Sequence, residues 1–285
     1  MIPGRRPNAT AVFFAIAFGA PWTAWILLAL IHKPSRWSVL LLLGGHFCSV
    51  AGITAAYWGF GWEGVKDVLS RLLLFRVPIF WWCFAFFPVF VAILAAAINS
   101  AIRGDSITFR PSEIIHQWWI VYNFLVAFLL GPLGEEAGWR GFLLPRLLER
   151  YLPLTASLML GLIWSVWHVP LDYASYFHTI LGGAEFTVHT VCLSVLMTVL
   201  FLNTRGSILL AMIVHWSGNI SYELVSVVFP ASRMGMPDHT YDILLVVFTL
   251  LIALLFRTQL ATKCTLIRLQ QSGCREESVN FNAAK

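Results

Sequence analysis

Apolar runs of close to twenty residues recur along the chain, separated by short polar stretches. A hydrocarbon core about 30 Å thick needs roughly 20 helical residues to cross it. On that criterion the candidate spans are 11–31, 38–58, 79–99, 114–131, 154–173, 185–203, 206–229 and 240–256. The pattern predicts an all-α fold, a polytopic membrane helix bundle of about eight transmembrane helices. Residues 1–257 read as one transmembrane domain, and residues 258–285 as a polar C-terminal tail with little order. Residues 61–76 depart from this pattern: Val65, Val68, Leu69 and Leu72 share one helical face, as in an interfacial amphipathic helix. Residues 135–150 mix carboxylates, arginines and leucines. The first run follows Arg5 and Arg6, as the core of a signal peptide does. However, Ala11–Ile31 is longer than the 7–15 residues of such a core and reads as an uncleaved first span.

Composition supports the membrane reading. The chain is 59% hydrophobic and 12% charged, with mean hydropathy +0.76, whereas soluble domains carry about 25% charged residues. Much of its surface therefore does not face water. The 13 Trp and 22 Phe agree, since amphipathic aromatic rings, above all Trp and Tyr, favour membrane interfaces.

The net charge of +5 does not signal nucleic acid, because the basic residues are scattered through short loops. With eight spans both termini share one side, which receives fourteen of the nineteen basic residues. The other side receives Lys33, Arg36, Arg103, Arg110 and Arg233. Basic residues collect on the cytoplasmic side, so both termini are expected there. Cys48, Cys83, Cys192, Cys264 and Cys274 are odd in number and have no CxxC spacing, which implies neither a disulfide framework nor a zinc finger.

Three polar motifs interrupt the apolar background. Glu135 and Glu136 follow Gly131-Pro132-Leu133-Gly134, and Arg140 follows Glu136 by four residues. On a helix that spacing pairs Glu136 with Arg140 and turns Glu135 about 100° away, leaving one carboxylate free. Pro132 predicts a break or restart, since it donates no backbone hydrogen bond. His168 lies one turn after Trp164, near the end of the next span. His215 and Asn219 share a face of a later span. Taken singly, these motifs also fit a surface ion pair, a core histidine and interhelical hydrogen bonding. Together they bring ionisable groups from three helical segments into an apolar protein, where such groups mark function by default. A carboxylate, histidines and an amide supply a general base and oxyanion donors, the kit for amide hydrolysis.

Glu135-Glu136-x-x-x-Arg140, Trp164-x-x-x-His168 and His215-x-x-x-Asn219, in this order, resemble the three motifs of the CAAX-protease and bacteriocin-processing family, the type II CAAX prenyl endopeptidase-like proteins. The resemblance covers about residues 131–222, with Trp164 standing where the family usually has Phe. It implies an intramembrane, metal-independent, glutamate-dependent endopeptidase with no cofactor and no covalent intermediate. Glu135 and His168 would activate water, His215 and Asn219 would stabilise the oxyanion, and Glu136 and Arg140 would brace the site. The partners implied are the lipid bilayer and a peptide or protein substrate at the membrane, a prenylated CaaX-like end among them.

Other chemistries remain open from residue types alone. Two histidines and a carboxylate could ligate zinc, although no H-E-x-x-H is present. Ser217 lies two residues from His215, and positions so spaced on a helix do not face each other. Tyr241-Asp242 has no Gly-x-Gly-Asp companion of the kind aspartyl intramembrane peptidases carry. A transporter, scaffold or immunity protein could use the same polar residues to bind rather than cleave.

Overall fold

The computed structural model describes residues 8–30, 34–104, 118–228 and 239–263, and among these helices are joined by turns, bends and short irregular segments, with no strand. In chain order the helices are α1 (Ala9–Leu30), α2 (Pro34–Leu72), α3 (Ile79–Ala85), α4 (Phe87–Arg103), α5 (Trp118–Leu130) and α6 (Pro132–Gly138). A π-helical turn (Trp139–Leu143) leads into α7 (Leu144–Leu148) and α8 (Pro153–His168). A second π turn (Tyr173–Phe177) precedes α9 (Ile180–Asn203), α10 (Ile208–Val228), α11 (Thr240–Leu255) and α12 (Arg257–Ala261). The expected all-α helical bundle is what is observed.

Among the described residues, α1 and α9 are long and apolar enough to cross a membrane, and α3 with α4 would make a third such span. Two of the expected spans are interrupted by local chemistry. The 79–99 run bends by 52° between α3 and α4, where Pro88 lies in the first turn of α4 and cannot donate to the preceding turn. The Ala85 carbonyl at this bend accepts the Ser217 hydroxyl at 2.9 Å. The 114–131 run stops at Gly131, and the chain restarts as a helix at Pro132. The 38–58 run and the amphipathic segment are two helical parts of α2, as expected, divided by a kink at Gly61, whose non-helical φ of 64° favours glycine. Past that kink Val65 and Val68 are buried, while Leu69 is 44% exposed. The first residues of the polar tail form α12, where Leu260 is buried and Gln259 accepts from Asn203 at 2.8 Å. The tail beyond residue 263, Arg5, Arg6, Lys33, Arg110, Arg233 and the outer ends of several spans lie outside the described residues.

Glycines set the approach of α2 to α6. Gly134 and Gly138 are four residues apart and lie against Gly45, Cys48 and Gly52, the small-residue crossing that lets two helix backbones meet closely. A methyl on Gly52 would fall 2.6 Å from the Ala137 oxygen, and one on Gly138 would collide with the Cys48 carbonyl. That glycine face commits one side of α6 to α2, so the acidic side chains between the two glycines point elsewhere. An aromatic layer packs behind them: Phe13 of α1 stacks on Phe142 at 5.4 Å, and Trp139 meets Trp167 edge to face at 5.8 Å. The Trp167 indole donates to the Ala17 carbonyl at 2.7 Å, tying α8 to α1.

Candidate active site

Glu135 and Glu136 lie in the short helix α6 between the Gly131 break and the π turn, and both are buried. Their partners follow from i,i+4 geometry. Arg140 donates through Nη1 to both oxygens of Glu136, at 2.9 and 3.0 Å. Trp139 donates its indole N–H to Oε2 of Glu135 at 3.2 Å. The expected division therefore holds, with Glu136 paired to arginine and Glu135 directed away from it.

Helix α8 contributes the second motif. Trp164 donates its indole N–H to Oε2 of Glu135 at 2.7 Å, a bond that the phenylalanine usual at this position cannot make. Tryptophan at this position thus places a second donor on the candidate base. The same indole lies 4.7 Å from the Arg140 guanidinium and 4.9 Å from the His215 ring. His168 is the last residue of α8, and its Nδ1 bonds the Trp164 carbonyl at 2.9 Å. A carbonyl only accepts, so Nδ1 carries the hydrogen and Nε2 of the neutral ring has its lone pair free. The His168 ring packs against Trp167 at 4.9 Å and against Phe186 of α9 at 5.1 Å.

Helix α10 contributes the third motif. His215 is buried and bonds Oε1 of Glu136 through Nδ1 at 2.8 Å. Glu136 therefore binds both Arg140 and His215, whereas Glu135 receives only neutral indole donors, both on one oxygen. Asn219, one turn on from His215, is exposed. Both face the Gly131 break: a methyl added there would fall 2.9 Å from Nδ2 of Asn219 and 3.7 Å from Nε2 of His215. The structure thus gathers Glu135, Glu136, Arg140 and His215 around Trp164, which bonds Glu135 and packs against Arg140 and His215, with His168 and Asn219 at the edges of the cluster.

Three features of this cluster were not read from the sequence. Trp139 and Trp164 act as carboxylate donors, although an indole in an apolar run reads as core. The π turn brings Trp139 and Arg140 to their partners, and such turns recur at functional sites. Arg71 of α2 braces it, donating to the Gly141 carbonyl at 2.7 Å while pairing with Asp67 at 2.6 Å.

Residues 117–221 match the family model of the type II CAAX prenyl endopeptidases, Rce1-like. All six candidate residues and both indole donors fall within this Rce1-like segment. Over 110 residues the chain is 34% identical to CAAX prenyl protease 2 of Methanococcus maripaludis. That stretch covers 36% of this chain and 41% of the archaeal protein, so the Rce1-like likeness is a likeness of the part that builds the cluster.

The other chemistries can be compared with the same geometry. Ser217 is buried and donates to the Ala85 and Val214 carbonyls, on the side of α10 away from His215. Asp242 bonds His189 at 3.3 Å, on α11 and α9. Among the described residues no three His, Cys, Asp or Glu side chains form a group with the spacing of a metal site.

Proposed function

We propose that the chain is an intramembrane glutamate-dependent endopeptidase that hydrolyses a peptide bond of a membrane-associated, prenylated CaaX-like substrate without a metal. The observation carrying this reading is the unequal treatment of two adjacent carboxylates. Glu136 is bound by Arg140 and His215, while Glu135 is fixed through one oxygen and keeps the other for a water. Water held between that oxygen and Nε2 of His168 loses a proton to Glu135 as its oxygen adds to the substrate carbonyl carbon. The oxyanion accepts from Nδ2 of Asn219 and from Nε2–H of His215. The latter bond requires an imidazolium, for which Glu136 supplies the countercharge. The tetrahedral adduct then expels the amine, which takes the proton back from Glu135. A positioned base contributes about 10²–10⁴-fold in rate, and one oxyanion donor about 10²–10³-fold.

The reading is tested on purified protein in detergent with a farnesylated CaaX peptide. Cleavage between the modified cysteine and the next residue is expected, at a rate unchanged by strong chelators. Loss of cleavage on chelation, restored by zinc, would replace the metal-independent mechanism with a zinc one. Binding of the peptide without cleavage would favour a non-catalytic role.

A further inference from the structure

The polar stripe on α10 does not end at Asn219. Glu223 follows at the same four-residue spacing, so His215, Asn219 and Glu223 lie along one face of the helix. Helix α5 runs antiparallel beside it with a matching repeat: Gly131 faces His215 and Asn219, and Asn123 donates to Oε1 of Glu223 at 3.0 Å. The two helices are clamped between these points by the Trp216 indole, which donates to the Phe124 carbonyl at 2.7 Å.

Glu223 is half-buried, and its hydrogen-bond partner is a neutral amide that reaches one of its two oxygens. No cation among the described residues pairs with it. A carboxylate so placed in a membrane protein is costly without a countercharge, and this one lies two residues beyond the Rce1-like segment.

We propose that Glu223, oriented by Asn123, is a specificity-determining residue that binds the cationic side chain of a substrate lysine or arginine about two residues from the cleaved bond. The register follows from helix and strand dimensions. Four residues of α10 advance about 6 Å, and two residues of an extended peptide span about 6–7 Å. A peptide whose scissile carbonyl lies at His215 and Asn219 and which runs along the α5–α10 seam therefore brings its second residue beside Glu223. Asn123 holds one carboxylate oxygen in place, leaving the other for an ammonium or guanidinium. The inference rests on the peptidase reading above.

The experiment compares farnesylated peptides carrying Lys, Gln or Glu at the second position on either side of the cleaved bond, with the full chain in detergent. Wild type is expected to favour Lys over Glu at one of these positions, by about ten- to hundredfold in kcat/KM, the size of a charge-assisted contact, and mainly through KM. Glu223→Gln preserves side-chain shape and the Asn123 bond, so its melting temperature should stay at the wild-type value while the preference disappears. Glu223→Lys should invert the preference towards the Glu peptide, with the Asn123 amide turning its oxygen to the new ammonium. Equal cleavage of all three peptides by wild type, or a preference that survives Glu223→Gln, would overturn the inference and leave the peptidase reading intact. Failure of wild type to cleave any of the peptides would overturn both.

Discussion

Two indole N–H groups on one carboxylate oxygen fix Glu135 without giving it a countercharge, and that distinguishes it from Glu136. Neutral donors hold a base in position while its second oxygen stays basic; an arginine bound to both oxygens, as at Glu136, competes with any water. Trp164→Phe tests the role of the donor that this chain has in place of the usual ring. The phenyl ring keeps contact with Arg140 and His215 but loses the 2.7 Å bond. Hydrogen bonds to charged groups are worth about 1.5–3 kcal/mol, so kcat is expected to fall about ten- to hundredfold, with KM little changed. An unchanged kcat would mean that Trp139 alone positions Glu135. Which of the two glutamates is the base could not be settled from spacing: helical periodicity paired Glu136 with Arg140 and left Glu135 free, but the bond from His215 to Glu136 is a contact between helices far apart in sequence.

At the scale of elements, the cluster exists because α6 is a short helix of about two turns with glycine on one side and carboxylates on the other. Gly138→Ala should show this. The added methyl would be driven into the Cys48 carbonyl and thiol, and forcing extra volume into a packed contact costs about 1–3 kcal/mol. The variant is expected to melt several degrees lower in detergent and to lose cleavage in parallel, because α6 must tilt and carry Glu135 with it. A normal melting temperature would show that α2 yields at no cost. The same helix marks how far the sequence could be read. The Pro132 restart and the Glu136–Arg140 pair were legible, since proline chemistry and i,i+4 spacing are local. The π turn, the Arg71 brace and the approach of Gly131 to Asn219 were not, because each depends on what another helix presents. Hydropathy alone also joined α3 and α4 into one span, because a running average does not register a bend at Phe86.

For the whole molecule, composition identified a membrane helix bundle, and α1 and α9 have the length and apolarity to cross a bilayer. The distribution of basic residues makes a separate claim about direction. On the eight-span reading, fourteen basic residues on one side against five on the other predict that both termini are cytoplasmic. Reporter fusions before Met1 and after Lys285 are expected to give a cytoplasmic signal from both ends; a signal from the opposite compartment at either end would refute the eight-span topology. The central claim for the molecule is that Glu135 is the base and Glu136 the brace. The most direct test is the cleavage rate of Glu135→Gln and Glu136→Gln, each measured beside its melting temperature. Glu135→Gln keeps shape and removes basicity, so it should be inactive by at least about 10²-fold with a near-normal melting temperature. Glu136→Gln should lose stability as well as rate, because Arg140 is left buried without its countercharge, a change worth about 3–5 kcal/mol. Wild-type cleavage by a stably folded Glu135→Gln would contradict the account.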